Sequence, residues 1–272
     1  MGDAQGPGTI PSIDKATIAG LALLLMPLLT MAHEIGGHAA ACVATGGTLK
    51  ELGAFYVECG NSGPGAARIV ALAGMGMDAA LGLIAWRVWR GLRGDLARLT
   101  GWYVWLCLSF SAAGYFLFSG VSGIGDLGPG EGGGIGPLPQ PLIWRAVFAA
   151  GGGYAYWRLV KAGIATLGEM VGQGEDTKPA RRAVAHVFYA ALCLAAVAAS
   201  LPNPVGLFIT LASAGAASIG GKAGLINIGF SAAAGAGAKP FTIARNRWLI
   251  AAGVLVSLAF AVVLGPTIRF AP

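Results

Sequence analysis

Ala16-Thr17-Ile18-Ala19-Gly20-Leu21-Ala22-Leu23-Leu24-Leu25-Met26-Pro27-Leu28-Leu29-Thr30-Met31-Ala32 runs without a break into His33-Glu34-Ile35-Gly36-Gly37-His38. The first part carries no acidic or basic side chain, and about 20 apolar residues suffice to cross the hydrocarbon core of a bilayer. Trp248 to Pro266 is a second uncharged run of the same kind. The whole chain of 272 residues is 56% hydrophobic and only 11% charged, with a mean hydropathy of +0.69. Soluble domains carry about 25% charged residues, so lipid is the main solvent of this chain. The fold class is an all-α polytopic membrane protein, one transmembrane domain over 1–272. Because the first apolar run continues through the histidines, it is longer than the apolar core of a secretory signal and is expected to be retained.

Apolar stretches separated by Gly, Pro and charge predict helices at 16–44, 66–89, 97–121, 141–165, 183–200, 205–219 and 247–265, six or seven spans in all. Leu201-Pro202-Asn203-Pro204 breaks the helix before it, which makes the short segment at 205–219 a candidate re-entrant element. The net charge of +6 does not point to nucleic acid, because the basic residues sit in short clusters between apolar runs. Arg87, Arg90, Arg93 and Arg98 follow the second helix; Lys161, Lys178, Arg181 and Arg182 follow the fourth. The positive-inside rule places both connections, and the tail 1–15, in the cytoplasm. The loops 45–65 and 122–140 then share the outer side. Within the first loop, Leu49 to Cys59 has strand-like composition around Phe55, Tyr56 and Val57, the candidates for pairing with an extended peptide. The tract 220–246 is rich in Gly and Ala and reads as a flexible connection.

Ionisable residues inside a membrane segment are costly and mark functional sites by default. Two histidines and a glutamate at 33–38 have the residue types of a hydrolytic zinc site, in which H-E-x-x-H puts both rings on one helical face and the Glu activates water. This motif has one residue more. Five residues of a regular α-helix turn through about 500°, leaving His33 and His38 about 140° apart. A π-bulge, made inexpensive by Gly36-Gly37, would bring them together. Glu34 and His38, four apart, share a face without distortion and are an alternative ligand pair; a hydrogen-bonded His–Glu contact between helices is the structural alternative.

A catalytic zinc takes three protein ligands. The third is either His186, expected on the cytoplasmic side, or a carboxylate. Asp126 follows the third helix on the outer side, in the glycine-rich Gly123-Ile124-Gly125-Asp126-Leu127-Gly128, and is the choice here. Asp78, inside the second helix, is a candidate to hydrogen-bond a ligand histidine. Trp86, Trp89, Trp102 and Trp105 flank a basic loop and are expected to anchor the interface. Cys42, Cys59, Cys107 and Cys193 form no C-x-x-C pair and indicate neither a zinc ribbon nor a disulfide framework.

Around the first helix the chain resembles the site-2 protease-like intramembrane zinc metalloproteases: His33-Glu34 followed by Gly37-His38-Ala39 and Thr45-Gly46-Gly47 is similar to that family's H-E-x-G-H and the glycine pair after it. The resemblance implies Zn2+ held by His33, His38 and Asp126, with Glu34 as the base, and a strand-like element at 49–59 that holds an unwound substrate. The expected function is a zinc-dependent membrane-embedded peptidase acting on a membrane protein or peptide, multi-pass in a cell membrane, bacterial inner membrane by its compact loops. The alternative is a non-proteolytic multi-pass protein, a transporter or metal-binding module, that retains the site. Haem on two facing histidines is a third reading; a di-iron oxidase needs more histidines than the three present.

Overall fold

The computed structural model describes residues 11–60, 63–204, 215–231 and 237–270. The chain is mainly helical. Strand β1 (Ser12–Ile13) leads into helix α1 (Lys15–Ala44), followed by β2 (Thr48–Leu52), β3 (Val57–Gly60), α2 (Pro64–Trp89), α3 (Asp95–Ser122), α4 (Pro141–Val171) and α5 (Glu175–Ser200). A π-helical turn at Gly215–Gly220 precedes α6 (Gly224–Phe230), β4 (Thr242–Ile243), α7 (Arg247–Val263) and β5 (Ile268–Arg269).

Among the described residues, four helices, α1, α2, α3 and α5, are long and apolar enough to cross a membrane. The other expected spans differ for separate reasons. Helix α4 is long, but Arg145, Arg158 and Lys161 interrupt its apolar surface; α7 has 17 residues. Most of the segment expected at 205–219 lies outside the described residues. Many large apolar side chains face outward, among them Leu83, Ile84 and Val88 of α2 and Trp248, Leu255 and Val262 of α7. Apolar faces on this scale suit a lipid solvent rather than water.

The start of α1 is fixed by Asp14, whose carboxylate accepts from the Thr17 amide at 2.8 Å. Asn246 caps α7 in the same way, accepting from Leu249, and its own amide donates to Thr17 Oγ1, tying the two helix starts together. Strands β1 and β4 pair in parallel beside this junction. Helix α1 packs along α7 and α5, and α3 packs along α2 and α4, so α1 and α3 form the interior of the bundle. Small residues let these helices close in: a Cβ on Gly20 would meet the Ile250 backbone at 2.7 Å, and one on Gly152 would meet the Leu117 amide at 2.4 Å.

Three of the four tryptophans expected at the interface are core residues, and Trp86 is half-buried beside them. Trp89, Trp102 and Trp105 are buried inside the protein. Trp86, Trp89 and Trp105 stack on one another, and the Trp102 indole donates to Thr166 Oγ1. Stacking favours burial of the first three, and a partner for the indole N–H favours burial of Trp102. Arg181, expected as a cytoplasmic surface cation, is buried too, and donates to the carbonyls of Ile164 and Gly172 at the end of α4.

Residues 48–60 form a hairpin, β2 antiparallel to β3, and β5 adds to the other side of β2 in the order β3-β2-β5. A disulfide joins Cys42 at the end of α1 to Cys59 in β3. The absence of C-x-x-C spacing gave no sign of it; the hairpin, by folding back, brings residues 17 apart into bonding distance. The expected loose connection at 220–246 contains helix α6, with Leu225 and Ile228 fully buried against the bundle.

Candidate metal centre

Residues Ala32–Ala39 of α1 are π-helical. In such a turn hydrogen bonds run between residues five apart, so side chains five apart stack on one face. This absorbs the extra residue of the motif: the His33 and His38 rings lie 4.8 Å apart, edge to face. The distortion is placed where α1 meets α2. A Cβ on Gly37 would stand 2.5 Å from the Gly74 Cα, and one on Gly74 would stand 2.3 Å from His38 Nε2 and 2.5 Å from His33 Nε2. The two imidazoles therefore rest directly over a glycine that leaves space above its backbone.

Each ring is oriented by a hydrogen bond from its far nitrogen. His33 Nδ1 donates to Asp78 Oδ2 at 2.8 Å, and His38 Nδ1 donates to the Val70 carbonyl at 2.7 Å, both from α2. Tyr115 of α3 stacks on the other face of His33, ring centroids 4.9 Å apart. With the protons held at Nδ1, both Nε2 atoms present lone pairs, and they face each other at 3.1 Å.

Asp126 completes the group. Gly123 and Gly125 adopt positive φ, which turns the chain sharply after α3, and the buried Leu127 seats the turn. Its Oδ2 lies 3.3 Å from His38 Nε2 and 3.7 Å from His33 Nε2. Ligands bound tetrahedrally to one zinc at about 2.0–2.1 Å are roughly 3.3 Å from one another. The three separations match this, and Asp126 Oδ2 is buried without a hydrogen-bond partner. Three acceptors converging on one point are stable only around positive charge, so His33, His38 and Asp126 form a group suited to a metal ion.

Glu34 is not among the three converging side chains. Its side chain is buried, and Oε2 has no hydrogen-bond partner among the described residues. It lines a narrow cavity with His33, Asp78, Ser111, Tyr115 and Lys222. That cavity offers ≈ 20 Å³ to the centres of water molecules, room for about one or two waters.

His186 stands apart from the group; its Nε2 is bonded to the Ile226 carbonyl of α6 at 3.0 Å. Phe55 is buried against Phe260, the Tyr56 hydroxyl bonds to Thr267 Oγ1, and Val57 begins β3. The outer edge of β3, rather than the Phe55 and Tyr56 side chains, is what the hairpin presents for further pairing.

Sequence reading missed Gly74 and Lys222. Gly74 was visible only as one of several small residues in Gly74-Met75-Gly76-Met77-Asp78. Lys222 had a usable signal: it is the lone charged residue between Pro204 and Lys239. Compared with known protein families, curated proteins and solved structures, the chain matches none.

Proposed function

We propose that the chain is a zinc-dependent membrane-embedded peptidase. The observation that carries this reading is the convergence of three acceptor atoms beside a buried carboxylate, Glu34, whose unpartnered oxygen faces a cavity of water size. A zinc ion at that point would acidify a water and polarise a scissile carbonyl. Asp78 and Val70 fix the ring orientations, and Glu34 accepts a proton from the attacking water and returns it to the departing amine. Tyr115 covers one face of the His33 ring. A peptide in helical form shields its own amides, so the substrate must be extended at the cleavage point; the outer edge of β3 offers backbone groups for that pairing.

In this reading α4 and α7 join the four long apolar helices as spans, and α7, which starts beside the start of α1 and leads into the strand paired with β2, runs in the same direction as α1. The motif, the turn at Asp126 and the hairpin lie toward the outer face of a cell membrane. The Cys42–Cys59 disulfide supports that placement, since disulfides persist in oxidising compartments.

The closeness of the cavity favours a second reading, a non-proteolytic metal-binding or transport protein, because no peptide fits a space of one or two waters. One experiment separates the two. Wild type and Glu34→Gln are reconstituted in liposomes with a library of fluorogenic transmembrane peptides at saturating zinc. Cleavage by wild type, abolished in Glu34→Gln while one zinc per chain is retained, supports the peptidase. Stoichiometric zinc with no cleavage by wild type supports the binding protein, and cleavage undiminished in Glu34→Gln refutes the mechanism.

A further inference from the structure

Among the described residues the buried charged side chains are Glu34, Asp78, Arg181 and Lys222. Arg181 is engaged by carbonyls at the end of α4. The other three, drawn from α1, α2 and the turn before α6, all line the cavity beside the metal group. Lys222 Nζ donates to Ser111 Oγ of α3 at 2.9 Å, and Ser218, also buried, lines the same space. A buried ammonium without opposite charge nearby is strongly disfavoured. Glu34 and Asp78, which line the same cavity, bring that opposite charge.

Those charges balance when a divalent ion is bound. A divalent ion on His33, His38 and Asp126 brings two positive charges, while Asp126, Glu34 and Asp78 bring three negative ones. One negative charge remains, and Lys222 cancels it. The stretches 205–217 and 232–236 contain no Asp, Glu, Lys or Arg that would alter the sum.

We propose that Lys222 is a positioning residue for the metal centre: a fixed counter-charge that makes the loaded chamber neutral. Without it the surplus carboxylate charge would bind a divalent ion more tightly and blunt its pull on a substrate carbonyl. The inference rests on the metal-centre reading, and its test separates the two.

The full-length protein in detergent is titrated with zinc against a chromogenic chelator. Lys222→Met should bind zinc about tenfold more tightly or better, because a positive charge near the cation is gone. Lys222→Arg, which keeps the charge, should bind like wild type. Glu34→Gln should bind more weakly, and the double variant Lys222→Met with Glu34→Gln should return to wild-type affinity. A lysine that merely fills space gives the opposite sign, weaker or unchanged binding in Lys222→Met, and that result overturns the inference. If Lys222→Met does not fold, the double variant decides: wild-type affinity supports the counter-charge, and lost affinity overturns it. Failure of wild type itself to bind zinc overturns the metal centre and this inference with it; normal zinc binding that ignores Lys222 overturns this inference alone.

Discussion

Gly74→Ala tests the metal centre without touching a ligand. The added methyl would stand 2.3 Å from His38 Nε2 and 2.5 Å from His33 Nε2, on the side where the lone pairs converge. That is about 1 Å inside van der Waals contact. Both rings must swing away, and doing so breaks their bonds to Asp78 and Val70. Leaving such buried groups unsatisfied costs about 1–3 kcal/mol each, so restoring the ligand positions in the variant costs about 2–6 kcal/mol. Zinc sites tolerate errors of about 0.2 Å in ligand distance. Zinc affinity, measured by chelator competition, should therefore fall at least about thirtyfold, the equivalent of about 2 kcal/mol. Gly76→Ala is the control. Its Cβ would meet nothing within 4 Å, so affinity should be unchanged and α2 as stable or up to about 1 kcal/mol more so. Wild-type zinc affinity in Gly74→Ala would refute the geometry on which the site is built.

Asp78→Asn keeps shape but weakens the bond that orients His33, so zinc affinity should fall about 10–100-fold with little change in thermal unfolding; an unchanged affinity would deny Asp78 that role. Replacing Cys42 and Cys59 together by Ser opens a link between residues 17 apart and should lower stability by about 3 kcal/mol in denaturant unfolding; equal stability would mean the hairpin is held by other contacts. Asp14→Ala removes the cap of α1 and should cost about 0.5–1 kcal/mol, toward the low end because the site is exposed. The Thr17 amide holds the Asp14 carboxyl below its usual value. A lowered folded-state pKa means that this contribution is complete above the unfolded value near pH 4 and is lost as pH falls through the folded value, so wild type and variant should converge in acid.

The membrane character of the chain, the π-helical adjustment at the histidines and the glycine-rich turn at Asp126 were legible because each follows from local rules: apolar length, helical angle, and glycine's access to positive φ. Asp78 was legible as a candidate partner for a ligand histidine, since an aspartate inside an apolar helix needs a partner, but only the packing of α2 on α1 shows that the ring is His33. What escaped was set by packing between distant segments. Nothing near Trp102 in sequence says that Thr166 will take its indole proton and that the ring faces the core rather than the lipid boundary. Cys42 and Cys59 meet only because Thr48–Leu52 and Val57–Gly60 fold back as a hairpin. Lys222 lies 188 residues from Glu34 in the chain, and only the turn before α6 brings them to one cavity. Its lone charge in an apolar tract was the available clue, masked by a Gly and Ala composition that suggested a loose connection.

The most direct test of the central claim is metal content by mass spectrometry on the detergent-purified chain and on His33→Ala, His38→Ala, Asp126→Ala and His186→Ala. The account expects about one zinc per chain in wild type and in His186→Ala, and loss in the other three. No zinc in wild type, or loss confined to His186→Ala, would contradict it.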